Sequence, residues 1–259
     1  EMTSPARTNV VAYWPLEDGS TATAFASALS GGTPMQMSTS GVTPAAYSTW
    51  AASDALPTVE TGSLHGSVPV YDSAQRHATH LFVQLPAAGV ASTQRLISMT
   101  DTGDAATWSV YANTAGQLDL RLYDTDGVLL DSSGFTTFYG NGVPLAIIIR
   151  GYPNPLYLLW SMEVYSIDDL TLTATTPTSV SGGILFSAPG RITSVSVGED
   201  GGMGGTVVGH IAVASSNDGF TDIASALIGW RGEEPSDRVA RLCREENIRL
   251  NLNTDRFGL

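Results

Sequence analysis

The stretch TWSVYANTAGQLDLRL, residues 107–122, decides the fold. Asn113-Thr114-Ala115-Gly116 is a turn signal between two short runs rich in β-branched, aromatic and leucine side chains. In the second run Leu118, Leu120 and Leu122 fall on one face, while Asp119 and Arg121 fall on the other. A period of two with one apolar and one polar face is the signature of a half-buried strand. The segment therefore reads as an antiparallel hairpin lying on a core.

The same pattern recurs on both sides. Downstream, Asp124-Thr125-Asp126-Gly127 turns the chain into Val128–Asp131, and Leu145–Arg150, Tyr157–Tyr165, Leu170–Thr175, Arg191–Val197 and Val207–Ala214 follow as strand-like runs. Upstream lie Arg95–Met99, His77–Leu85 and the opening strand Asn9–Leu16, closed by Pro15 and the turn Glu17-Asp18-Gly19-Ser20. Residues 20–76 are rich in Ser, Thr, Gly, Ala and Pro, and predict an irregular excursion with one or two short strands, for instance at Gly66–Tyr71. About ten strands with regularly spaced turns predict an all-β sandwich or barrel.

After residue 218 the period changes. Thr221 or Asp222 can cap a short helix through Ile223, Leu227 and Ile228, and Gly229-Trp230-Arg231-Gly232 breaks it. Pro235 then opens a second amphipathic turn carrying Val239, Leu242 and Cys243, with Arg238, Arg241 and Arg244 on its other side. Such a short helix needs a surface to dock on. The expected organisation is a sandwich over 1–218 and a helical connector over 219–259 leading toward a following domain.

Composition narrows the function. The chain of 259 residues is 42% hydrophobic and 14% charged, with a net charge of −13. That balance is globular rather than disordered. An acidic surface repels phosphate backbones and anionic lipid, so neither nucleic-acid binding nor membrane insertion is expected. No apolar run has the length of a membrane-spanning helix. Cys243 is the one cysteine, which leaves no partner within these residues for a disulfide, and it reads as a small core residue. Every basic side chain is arginine; the missing lysines imply a GC-rich coding genome, such as that of an actinobacterium or its viruses. Glu1-Met2-Thr3-Ser4-Pro5 shows neither the basic nor the apolar part of a signal peptide, and reads as the start of an excised domain.

Motifs for chemistry are few. There is no Walker loop, dinucleotide fingerprint, HExxH or GxSxG. The run Gly198–Gly205 holds two acids and no lysine, so it reads as a flexible strand connection rather than a phosphate cradle. Glycoside hydrolysis needs two carboxylates about 5 to 10 Å apart. Glu163 is the one acid inside Tyr157–Tyr165, Asp168 and Asp169 follow at its end, and Asp169 would share its face only on an unbroken strand. Calcium requires converging hard oxygens. The best acidic turn pairs for it are Asp101 with Asp104 and Asp124 with Asp126, although Asp also populates turns for backbone reasons. His77 and His80, three apart in a strand, face opposite sides and suit no common metal, and His210 sits within an apolar run as a satisfied core or face residue. Aromatic rings are numerous, and sugar-binding faces use them for stacking. Tyr139 and Tyr152 lie among glycines and prolines and are the expected exposed pair, with Trp108, Tyr111, Tyr123 and Trp160 among the others.

The opening VAYWPLEDGS, residues 11–20, resembles the first strand of laminin-G-like, concanavalin A-type lectin and glucanase domains, and GHIAVA, residues 209–214, resembles their last strand. The continuation GEEPSDRVARL, residues 232–242, is similar to a junction in tail proteins of actinobacterial phages and prophages. The resemblance implies an antiparallel, jelly-roll, concanavalin A-like sandwich in a virion tail, assembled in the host cytoplasm beside neighbouring tail subunits. It implies no catalytic residue, because the glucanase acids are not matched. The expected function is non-enzymatic recognition of a host-surface carbohydrate. A structural tail spacer is the alternative and a polysaccharide hydrolase the third reading. Calcium is the one cofactor left open.

Overall fold

Alternation in residues 107–122 places the leucines inside and the charges outside, and the rest of the chain closes around that hairpin. The computed structural model describes residues 9–47, 56–71, 77–100, 106–124, 126–136, 140–154, 157–166, 178–182 and 192–215. These form β1 (Val10–Trp14), β2 (Ala24–Phe25), β3 (Met35–Met37), β4 (Val42–Tyr47), β5 (Leu56–Val59) and β6 (Leu64–Tyr71). Then follow β7 (His77–Gln84), β8 (Gln94–Thr100), β9 (Ala106–Ala112), β10 (Leu118–Tyr123) and β11 (Leu129–Ser132). The last are β12 (Pro144–Asn154), β13 (Tyr157–Ser166), β14 (Thr178–Gly182), β15 (Ile192–Val197) and β16 (Thr206–Ala214).

Two antiparallel sheets make a sandwich. The first runs β14-β13-β12-β7-β16-β5-β4, with β1 also paired to β16. The second runs β11-β10-β9-β8-β15-β6-β3-β2. Strand β16 serves two partners along one edge, pairing β5 at Thr206–Val207 and β1 from Ile211 to Ala214. The register shift between Gly209 and Ala212 falls where the partner changes, and His210 there takes a φ of 47°. Among the described residues there is no helix, and the expected helical connector lies outside them, as does the expected strand Leu170–Thr175.

Residues 20–76 depart from expectation. Instead of an irregular excursion with one or two strands, they supply β2 to β6. Their sequence is weakly periodic because β2, β3 and β5 are only two to four residues long, yet Phe25, Met35, Leu56, Val59 and Leu64 are fully buried. Gly198–Gly205 also departs from the expected loose connection. Met203 and Gly204 donate their N–H groups to the Glu60 carbonyl at 2.7 and 3.0 Å, and Gly205 donates to that of Val59 at 2.9 Å. A Cβ on Gly202, whose φ is 94°, would lie 2.0 Å from the Glu60 oxygen. The glycines let two turns touch at the backbone.

One apolar core joins the inward faces of both sheets, around Trp14, Trp108 and Trp160. Gly66, inward on β6, leaves room for Trp14: an added Cβ would meet that ring and the Met35 methyl at 2.8 Å. Gly66→Ala should therefore destabilise the chain by about 1–3 kcal/mol through overpacking, read as a lowered denaturation midpoint. An unchanged midpoint would mean that the ring is free to shift.

Candidate functional site

Of the acids and tyrosines singled out from sequence, Asp101, Asp104 and Tyr139 lie outside the described residues. Tyr152 is described only in its backbone, which pairs with Leu159. Asp124 accepts hydrogen bonds at Oδ1 from the N–H groups of Asp126 and Val128, at 2.9 and 2.8 Å. That carboxylate closes the β10–β11 turn, and Asp126 beside it is exposed. Among the described residues no three His, Cys, Asp or Glu side chains are grouped to hold a metal.

The structure gathers a different set on the outward face of β9, β10 and β11. Register puts Tyr111 opposite Asp119, Ser109 opposite Arg121, and Arg121 opposite Ser132. Asp119 is only 3% exposed and is fully engaged. Its Oδ2 accepts from Arg121 Nε at 2.8 Å, and its Oδ1 accepts from the hydroxyls of Ser132 and Ser133 at 2.8 and 3.2 Å. So held, the guanidinium lies 4.0 Å over the Tyr111 ring, a cation–π arrangement. Tyr111 and Tyr123 join hydroxyl to hydroxyl at 3.1 Å. Burial, reinforced by that contact, pushes the Tyr123 phenol well above its ordinary range. Burial draws the Arg121 guanidinium down, but the hydrogen bond and charge of Asp119 outweigh it and keep it firmly charged.

Beneath these side chains runs a row of small hydroxyls. Ser109 pairs across to Ser98, and Ser98 to Ser196. All three are buried. Ser196 meets His65 Nδ1 at 2.9 Å and Ser98 donates to Glu199 at 3.2 Å, whereas Ser109 Oγ has no hydrogen-bond partner. On the neighbouring strand Arg95, opposite Tyr111 in register, is claimed by Asp200 at 2.6 Å and Glu199 at 3.4 Å. This face offers a planar donor, aromatic rings and hydroxyls.

The opposite sheet carries a second polar group. His210 Nδ1 meets the Tyr13 hydroxyl at 3.1 Å, its Nε2 lies 3.5 Å from Glu17, and its carbonyl oxygen is hydrogen-bonded to His80 at 2.8 Å. Burial, then the neighbouring His80, lowers His210 to about 4, and burial raises Tyr13 to about 12. Further along, Glu163 accepts from Arg150 Nε at 2.8 Å and from the Tyr165 hydroxyl at 2.7 Å. The carboxylate considered for hydrolysis is therefore occupied in an ion pair. Asp168 and Asp169 lie outside the described residues. His77 points into the sandwich against Trp108 and Trp160, on the side opposite His80, as their spacing predicted.

No family model matches the chain, and no curated protein does. Among solved structures it is similar to the binding domain of botulinum neurotoxin serotype D, at 9% identity and a TM-score of 0.56 over 86% of this chain and 52% of that one. The globular domain of T. cruzi calreticulin matches at 10% identity and a TM-score of 0.55 over 90% and 98%. Trypanosoma rangeli sialidase, in complex with sialic acid, matches at 10% and 0.56 over 87% and 34%. The chain spans about half the toxin chain and about a third of the sialidase chain. The fold is thus a lectin-like, two-sheet antiparallel β-sandwich.

Proposed function

We propose that the chain is a non-enzymatic carbohydrate-binding module, displayed on a phage tail toward the host surface. The observation that carries the binding reading is the β9–β11 face, where Asp119 fixes Arg121 over Tyr111 beside Tyr123. A fixed guanidinium donates to two neighbouring sugar oxygens, and a tyrosine ring offers a surface to the apolar side of a pyranose. A structural neighbour, the binding domain of botulinum neurotoxin DC, is in complex with SialylT, which supports a sugar ligand on this fold. The tail setting rests on the sequence resemblance and the lysine-free composition. Display in many copies would let weak single sites hold a cell, because linked sites raise the effective concentration.

The test is binding of the purified chain, free and clustered on beads, to whole cells and cell-wall polysaccharides of several actinobacteria. Saturable, strain-dependent binding is expected, unchanged by chelator. Arg121→Ala should weaken it roughly tenfold or more, the worth of a charged hydrogen bond, with the fold intact by circular dichroism. Absence of binding by the clustered chain would leave a structural spacer as the better reading.

A further inference from the structure

We infer that the β9–β11 face takes a neutral sugar unit carrying an apolar substituent, such as a 6-deoxy sugar, and discriminates against a carboxylate-bearing one; this rests on the carbohydrate reading above. Charge gives the first half. Each arginine among the described residues already has a carboxylate: Arg121 has Asp119, Arg95 has Asp200 and Glu199, and Arg150 has Glu163. The β9–β11 hairpins add Asp124, Asp126 and Asp131 with no further cation. An arriving carboxylate would thus meet a face of net negative charge on a chain of net charge −13. Because screening confines such effects to about 8 Å at physiological salt, the local balance decides. A neutral diol meets no such repulsion, and the Arg121 Nη groups remain donors for it once Asp119 has taken Nε.

The second half comes from the edge of the same face. Register sets Leu129 opposite Tyr123, and Leu129 is 49% exposed. Val128 beside it is 59% exposed, and Phe135, just beyond β11, is 39% exposed. They are the exposed large hydrophobic side chains of the described residues; Leu129 flanks Tyr123, whereas Phe135 precedes Thr136, whose N–H bonds to Leu118 at the other end of β10. A sugar whose ring oxygens reach Arg121 would bring an apolar substituent toward Tyr123 and Leu129. An exposed apolar side chain beside a polar site, as Leu129 is beside Tyr123, is where a methyl group gains over a hydroxymethyl.

The experiment is a titration of the full chain, followed by NMR at the Arg121 side-chain Nε–H and at the Tyr111 and Tyr123 rings. The ligands share one ring and differ at C6: methyl D-fucoside, methyl D-galactoside and methyl D-galacturonide, with the corresponding D-rhamnoside, D-mannoside and mannuronide. The expected order is methyl over hydroxymethyl over carboxylate. The first step should be about fourfold, the worth of ~0.8 kcal/mol per buried methyl-sized group. Leu129→Ser, a change at a half-exposed side chain, should erase that step, so that the methyl and hydroxymethyl sugars bind alike. If the carboxylate sugars bind best at the same resonances, the neutral class is overturned while the carbohydrate reading stands. Equal affinity of methyl and hydroxymethyl forms overturns the apolar preference alone. No shift with any sugar, and none with polymers bearing them, overturns both.

Discussion

Trp160→Ala should lower the unfolding free energy by about 4 kcal/mol, in the range for truncating a large buried aromatic ring. Trp160 is 1% exposed and stands in a cluster with Trp108, 6.0 Å away between ring centroids, and His77, 5.2 Å away. Its ring lies across Gly151 of the neighbouring strand so closely that an added Cβ would meet it at 2.9 to 3.1 Å. No backbone shift or neighbouring side chain fills that space cheaply, because the cluster bridges both sheets: Trp108 comes from β9 and Trp160 from β13. Urea denaturation should show the midpoint falling by roughly 1.5 M or more. The Trp108→Ala, Trp160→Ala double variant should cost less than the sum of its parts, since both open one shared cavity. A loss below about 1 kcal/mol for either single variant would place these rings outside the core.

The inner half of this architecture was legible because it is written in alternation. Leu118, Leu120 and Leu122 point inward with no further information than their spacing, and all three are fully buried. Strands β2 to β5 were illegible for a physical reason. Strands β2, β3 and β5 have only two to four residues each, too few to show alternation, and β5 also has a remote partner: its Val59 pairs with Thr206 of β16, so neither strand's sequence records the other. The candidate face was half legible. Asp119 and Arg121 read as outward, whereas Tyr111 and Tyr123 fell among rings expected mostly in the core. Glycine and proline neighbours drew the choice to Tyr139 and Tyr152 instead. What no local pattern supplies is the pairing of β8 with the remote β15, which sets Ser98 beside Ser196. Asp124 shows the converse: an Asp-x-Asp-Gly pattern serves calcium or a hairpin equally well in sequence, and in the structure its Oδ1 closes the β10–β11 turn through two backbone hydrogen bonds.

Acid should weaken the fold well before the carboxylates titrate, through His77. Its imidazole is fully buried, with Nε2 2.7 Å from the Thr79 hydroxyl and its ring against two tryptophans. Burial lowers its pKa to about 3, from the ordinary 6.5. Below pH 6.5 the unfolded chain takes up a proton at this residue and the folded chain does not, so the unfolded state binds more protons. Stability is then fully present above pH 6.5 and is lost as the pH falls toward 3. At ~1.4 kcal/mol per pH unit, the loss from pH 7 to 4.5 is about 2–3 kcal/mol. His210, lowered to about 4, acts in the same direction over a shorter window. The check is a series of urea midpoints between pH 7 and 4.5, for the parent chain and for His77→Gln. Gln keeps a polar group for Thr79 but binds no proton, so the variant should start less stable and lose markedly less as the pH falls. If parent and variant lose stability in parallel, the acid sensitivity belongs to other groups and His77 is a packing residue alone.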